Sequence, residues 1–440
     1  MIYLDFTSNS YKILKSKWES GEKKEVIDFF RNKSKLLLEL EDLDIQDKYY
    51  WIDLSTTVLI TAKDFLQAEM IIKNILYHKN IVNLHYTLKA NLYNKLGVTF
   101  GFRGAFQKAI ECYQYVYDLA LTQQDVSLFP RSCNNLGLNY MHLDKLSKAE
   151  ETLMEGLSKI SDITVDEDKN TWEIMLRGNL AELFRRKKTY KESINQANRV
   201  LFLTESKVSI REEELIEVQS ETLKTLFLSC FEINDLLGIE LVMDKINSLI
   251  FVPNSHFGIF YYFIIHGFYD WLIKKTLDSA VKFFRQSIEL ALKIEAGEFV
   301  YQAQLFLAQI LIEITSRDQL DSSMKSKNLD EIERILQEVS SFSKSQKMFG
   351  VLAETHLLQA EFFRCTNRFS LAYQHLSYCN VLINSNNLNH LYERYDKIES
   401  RIQNQIEKTE NPDINNQNIV SFEELLSYLA EIHRILRIHN

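Results

Sequence analysis

Between Asn91 and Ile160 the chain writes one pattern of apolar and small residues twice. Tyr93, Leu96, Gly97, Phe100, Ala109 and Tyr113 return as Cys133, Leu136, Gly137, Tyr140, Ala149 and Leu153, each pair 40 residues apart. A fixed offset of tens of residues marks a repeat array. Each copy predicts two helices joined by a short polar turn. In the second, one helix closes with Leu136-Gly137-Leu138-Asn139-Tyr140, His142 to Ser147 turns the chain, and the next helix runs from Lys148 to Leu157. Gly97 and Gly137 fall inside helices, where glycine costs roughly 1 kcal/mol against alanine. That cost is tolerable if the missing side chain lets two backbones approach. Ala109 and Ala149 serve the partner helix in the same way, while Phe100 and Tyr140 fill the space beyond.

Weaker copies follow at Leu180, Ala181, Phe184 and Ala197, and at Ala360, Phe363, Ala372 and Leu376. A further copy at Phe263, Gly267, Ala280 and Phe284 carries one extra residue in its turn, and half-copies occur near Leu59 and Leu307. Together they predict eight or nine hairpins over residues 10–400. The order Leu136, Gly137, Tyr140, Ala149, Leu153 resembles the tetratricopeptide repeat, with Cys133 in place of the usual bulky opener. The spacings of 40 and 44 exceed that family's ordinary period of about 34. Longer helices account for the surplus, a feature similar to the kinesin light chain and the Rap-type peptide-sensing proteins. The resemblance implies an all-α fold: a right-handed α-solenoid of stacked helical hairpins, a tetratricopeptide-like superhelix.

Composition agrees with that picture. Twelve glycines and three prolines in 440 residues leave few breakers, and Pro130 and Pro253 each lie just ahead of a helical pattern. No segment alternates with period two, so no sheet is expected. A net charge of −9 without basic clusters argues against a nucleic-acid footprint. Five cysteines (Cys112, Cys133, Cys230, Cys365, Cys379) are odd in number and lack the paired spacing of a disulfide framework or zinc ribbon. They are expected to pack as small apolar residues in a reducing compartment. Residues 1–9 lack a secretory leader. The apolar stretch Phe257–Ile273 is shorter than a membrane span and contains His266 and Asp270, so it reads as a helix buried in the stack. The expected location is cytoplasmic, with no membrane partner.

The pattern divides the chain into an N-terminal hairpin or cap (1–48), the solenoid (49–407), a linker (408–420) and a C-terminal amphipathic helix (421–440). The last begins with a Ser421/Glu424 capping box and reads as a cap over the final apolar face. Ser161–Asn170 and Thr315–Asp330 are polar interruptions, the second expected to lengthen a hairpin turn.

The first helix of each hairpin should line the concave side. Asparagine recurs there: Asn94, then Asn134 and Asn135, then Asn179, with Asn135 and Asn179 each immediately before the Leu of their repeat and Lys95 at that place in the first copy. An amide both donates and accepts, so a row of amides pairs with an extended backbone whatever its sequence. The competing reading is a set of ordinary solvated helix positions. Asn91, Arg131, Leu138, Glu182, Arg185 and Arg186 are the neighbouring groove candidates, the arginines being suited to carboxylates. Val98 and Met175 stand where the carboxylate clamp of chaperone-binding relatives needs polar residues. No phosphate loop or nucleophile motif is present. His375 and Cys379, four apart, lack a third ligand. The expectation is a non-catalytic scaffold without cofactors that binds a protein or extended peptide, with self-association left open. The alternative is a peptide-sensing regulator resembling Rap-type proteins, although residues 1–48 offer only one hairpin where an effector module needs several helices.

Overall fold

A computed structural model describes residues 8–20, 22–38, 45–62, 64–78, 81–206, 208–249, 251–252, 255–294, 296–316 and 322–408. Among them the chain forms nineteen α-helices and no strand. They pair as hairpins: α1 (Ser8–Glu19) with α2 (Lys23–Leu38), α3 (Ile45–Thr61) with α4 (Phe65–Leu76), and α5 (Tyr86–Phe102) with α6 (Phe106–Gln123). Next come α7 (Leu128–His142) with α8 (Leu146–Ser158), α9 (Asp166–Arg186) with α10 (Tyr190–Leu203), and α11 (Glu212–Glu232) with α12 (Leu236–Ser248). The last three pairs are α13 (His256–Phe268) with α14 (Leu277–Lys293), α15 (Gly297–Thr315) with α16 (Ser322–Gln346), and α17 (Phe349–Cys365) with α18 (Phe369–Asn386). Helix α19 (Tyr392–Lys408) packs on α17 and α18 as the first helix of a tenth unit. The product is a tetratricopeptide-like helical solenoid of nine hairpins, as the repeat spacing predicts.

Small residues set the hairpin packing. A Cβ placed on Gly97 would lie 2.6 Å from the Tyr113 ring, and one on Gly267 would lie 2.7 Å from the Phe284 ring. Gly137 meets the Leu153 side chain in the same way. All three pairs are the repeat's glycine and the large residue one turn beyond its alanine. Gly267 stands 17 residues from Phe284, whereas Gly97 and Gly137 stand 16 from their partners. The additional residue is absorbed at the end of α13, where Tyr269–Lys274 widens into a π turn. A π turn holds one residue more than the α turn it replaces, so the contact is kept.

Six hairpin tips, from the third to the seventh and the ninth, contain one residue in the left-handed region: Gly104 (φ 77°), Asp144 (φ 53°), Lys188 (φ 62°), Asn234 (φ 57°), Lys275 (φ 59°) and Asn367 (φ 56°). This reverses the chain after a helix while satisfying the last carbonyls.

The tips of hairpins three to five each reach a helix much later in the chain. A Cβ on Gly104 would lie 2.9 Å from the Phe342 ring at the end of α16. Asp144 lies against Gly350 at the start of α17, closely enough that any side chain at 350 would overlap its carboxylate. Lys188 pairs with Glu393 at the start of α19. Phe102 stacks on Phe257 with ring centroids 6.1 Å apart, and Lys23 reaches Glu213 at 3.9 Å. Hairpin n therefore meets hairpin n+5 for the first, third, fourth and fifth units, and the third also touches hairpin n+4 through Phe102 and Phe257. Phe106 of α6 accordingly belongs to the core that also holds Phe260, Phe284 and Phe362.

Two readings need correction or placement. The polar stretch before Asp330 lengthens the turn only in part: the gap between α15 and α16 is 316–321, against 103–105 or 143–145 in other hairpins. The remainder forms the solvated first turns of α16, ahead of Ile332, Ile335, Leu336 and Val339, which enter the core. Helix α3 begins at Ile45, three residues before the end of the expected cap at 48. Pro253, most of the expected linker and the amphipathic helix 421–440 lie outside the described residues. All five cysteines are thiols; four are buried and Cys365 is half-buried. No helix among the described residues is long and apolar enough to cross a membrane, and α13 lies within the stack with Phe260, Ile264 and Ile265 buried.

Candidate functional site

The first helices α3, α5, α7, α9 and α11 present a polar seam built from one recurring reach. In α5, α7, α9 and α11, a side chain just before the repeat's Leu extends back to the first helix of the preceding hairpin. Lys95 Nζ donates to Asp53 Oδ1, the Asp53 carbonyl and Thr57 Oγ1, each at 2.6 Å. Asn135 Nδ2 donates to Asn94 Oδ1 at 3.4 Å, and Asn179 Nδ2 donates to Asn134 Oδ1 at 2.9 Å. On α11, Thr225 Oγ1 donates to Glu182 Oε2 at 3.1 Å, with Lys224 Nζ 3.7 Å from the same oxygen. Asn134 Nδ2 also donates to Asn135 Oδ1 at 3.3 Å, so the four asparagines form one continuous chain across three hairpins.

Burial divides this chain into two layers. Asn94 is fully buried and Asn134 is 8% exposed, whereas Asn135 and Asn179 are half-buried. The inner amides hold the outer ones in a fixed orientation. Each outer amide then keeps hydrogen-bonding capacity toward the groove, because an amide has two donors and two acceptor lone pairs. Asn94 Nδ2 is buried with no partner, as is Asn139 Oδ1 one turn beyond Asn135. Unsatisfied buried polar atoms cost roughly 1–3 kcal/mol each, so the seam carries a local stability cost at these two positions.

Positive charge accumulates at the N-terminal end of the seam. Arg131 Nη1 donates to Asn91 Oδ1 at 3.3 Å, and no carboxylate among the described residues lies within ion-pair distance of it. Burial lowers the affinity of Arg131 for its proton, with Tyr113, Tyr49 and Asp53 opposing. Burial likewise lowers that of Lys95, partly offset by Asp53, and Arg131 adds to the lowering. Asp53 is thus the carboxylate bonded to Lys95, and Arg131 stands beside it without an anion of its own.

Glu182, Arg185 and Arg186 sit together, but facing each other. Arg185 grips Glu182 with Nε at 2.9 Å and Nη2 at 2.7 Å, and Arg186 Nε adds a contact at 3.1 Å. Arg186 Nη1 also donates to the Met141 carbonyl at 3.0 Å. Burial pushes the Glu182 carboxyl up, yet Arg185, Lys224 and Arg186 outweigh it and hold the group well below its usual range. Both guanidiniums suited to a ligand carboxylate are therefore engaged by an internal one. Leu138 packs against the core beside the seam. His375 does not turn to Cys379; its Nδ1 lies 2.9 Å from Nδ1 of His356 on α17. Burial lowers both rings, His375 to about 4, and pushes the Cys379 thiol up to about 12. No group of three His, Cys, Asp or Glu placed to hold a metal occurs among the described residues.

Sequence reading places the ten candidates on the inner helices but misses Tyr49, Asp53, Thr57, Lys224 and Thr225. The signal for the last four was available: polar residues lie 42, 38, 42 and 43 positions from their partners, close to the repeat period.

A sequence model of the tetratricopeptide repeat matches residues 130–158, which covers α8 and most of α7. The hairpins on either side repeat the helical packing of that segment, so the fold of the chain is tetratricopeptide-like. No curated protein matches the sequence. Among solved structures, the apo form of the quorum sensor NprR from B. thuringiensis aligns with a TM-score of 0.49 and 14% identity, over 85% of this chain and 97% of that one. A Rap protein complexed with Competence and Sporulation Factor aligns at 0.48 and 12%, over 90% and 98%. BtubC from P. vanneervenii aligns at 0.40 and 16%, over 55% and 95%.

Proposed function

We propose that this chain is a non-catalytic interaction scaffold whose concave groove binds an extended peptide segment of a partner across α5, α7 and α9. The observation that carries the reading is the amide chain Asn94–Asn135–Asn134–Asn179, in which buried members orient half-buried ones toward the groove. Preoriented amides bind an extended backbone without the entropic cost of ordering them first. Asn91, Arg131, Asn135, Leu138 and Asn179 form the proposed contact surface, with Asn94 and Asn134 orienting the amides from behind, and Arg131 supplies a charge that an acidic group neutralises. Glu182, Arg185 and Arg186 act in the framework behind it rather than as ligand contacts.

The test is partner capture from native lysate with wild type and the Asn135→Ala/Asn179→Ala double variant. Loss of at least about tenfold in capture is expected, equivalent to two hydrogen bonds of roughly 1 kcal/mol each. Helical circular dichroism should stay unchanged. Equal capture by both proteins would remove the groove from the account.

A second reading is a peptide-sensing regulator, and the coil contacts at Gly104, Asp144 and Lys188 favour it. A segment lying along the groove touches consecutive hairpins, so it changes the pitch that sets those contacts. Small-angle scattering with and without captured partner peptide should then show a change in radius of gyration. An unchanged profile at saturation retires this reading and leaves the scaffold one standing.

A further inference from the structure

A cavity of about 660 Å³ lies near the C-terminal end of the described array. Its walls are matching stripes of three first helices: Ile312 and Glu313 of α15 with Ser316 just past its end, Leu358, Glu361 and Arg364 of α17, and Arg394, Lys397, Ile398 and Arg401 of α19. The Trp271 ring from the π turn closes one side. The volume falls within the range of roughly 300–1,000 Å³ typical of small-molecule sites.

The charges in this cavity do not cancel. Four cations line it, Arg364, Arg394, Lys397 and Arg401, against Glu313 and Glu361. Glu361 is bound by Arg364 through Nε at 3.0 Å and Nη2 at 2.9 Å, and by Arg401 at 3.2 Å. Glu313 accepts the Trp271 indole N–H at 2.7 Å. Lys397 pairs at 2.7 Å with Glu393, which Lys188 also holds. Arg394 makes no hydrogen bond or ion pair with any described residue, although it is half-buried. A half-buried guanidinium without an internal anion keeps its planar donor fork free for an acid group. Ile312, Leu358 and Ile398 give the cavity an apolar floor beside these charges.

We infer that this cavity is a binding site for a small organic anion, an acid group on an apolar body, with Arg394 contacting the acid. The acid is a carboxylate or a phosphate; both fit the planar donor fork of arginine. The apolar body lies on Ile312, Leu358 and Ile398 and against Trp271. This site stands apart from the amide seam and does not depend on it.

The full chain is titrated with phenylacetate, phenyl phosphate and inorganic phosphate, followed by calorimetry and by tryptophan fluorescence, since Trp271 forms one wall. At least one aryl acid is expected to bind saturably, and the tighter of the two identifies the head group. Inorganic phosphate should bind at least about tenfold more weakly, because it gains nothing from the apolar floor. Arg394→Gln should weaken the aryl acid about tenfold or more, the loss of one charge-assisted contact. Ser316→Trp, at an exposed position on the rim, should block the site without disturbing the core. The inference is overturned if neither aryl acid binds, if inorganic phosphate binds equally well, or if both variants bind like wild type.

Discussion

Glu182→Gln is expected to lower the stability of the chain by about 3 kcal/mol, the lower end of the cost of breaking a buried ion pair by removing one partner. The carboxylate is 8% exposed and gathers Arg185, Arg186, Lys224 and Thr225 from two hairpins. Glutamine keeps the volume and one acceptor, so the loss measures the charge. Three cations would then face each other without their shared anion. The pH dependence fixes the sign. The folded-state carboxyl lies below the ordinary value of 4.5, so its stabilisation is present in full above that pH and disappears as pH falls further. Wild type and variant should therefore differ most at neutral pH and converge in acid, as read by urea unfolding across the range. A gap that persists unchanged in acid would show that packing, not charge, is responsible.

The second large effect belongs to the coil contact. Gly350→Ala places a methyl group on the Asp144 carboxylate, and overpacking of this kind costs roughly 1–3 kcal/mol. Removing the obstacle should restore the loss: in an Asp144→Gly background the same alanine is expected to cost little. Asp144→Gly alone should be neutral or stabilising. It relieves a left-handed residue (φ 53°) and removes a carboxyl that burial has pushed up to about 7. A double-mutant cycle by thermal unfolding checks this, and additive effects would mean the two positions do not bear on each other.

The architecture was readable because its packing rule is short-range and repeated. Gly97 with Tyr113 and Gly137 with Leu153 are fixed by residue size at one spacing, and size is visible in a sequence. Even the deviant seventh unit announced its extra residue, although only the structure shows the π turn that absorbs it. Helix α16 was misread at its start because Ser323 to Lys327 contribute no apolar face to the core, so no periodicity marks them. At the site, the asparagines were visible as a row, but aligning Asn135 with Asn179 as equals hid their different partners. Asn135 reaches Asn94 and Asn179 reaches Asn134, a diagonal that depends on how successive hairpins are staggered. Lys95 looked like a break in the row, yet it makes the same backward reach with an ammonium group. Arg185 and Arg186 looked available because a sequence does not show that Glu182, one helical turn away, claims both.

The five-unit register has a bearing on how such a chain can change its length. An open array tolerates duplication or deletion of a whole unit, because each touches only its neighbours. Here, losing one hairpin between the fifth and the ninth would bring Asp144 opposite α19 and leave Lys188 facing past the end of the described helices. Any change in the number of units would therefore have to rebuild the contacts made by Gly104, Asp144 and Lys188.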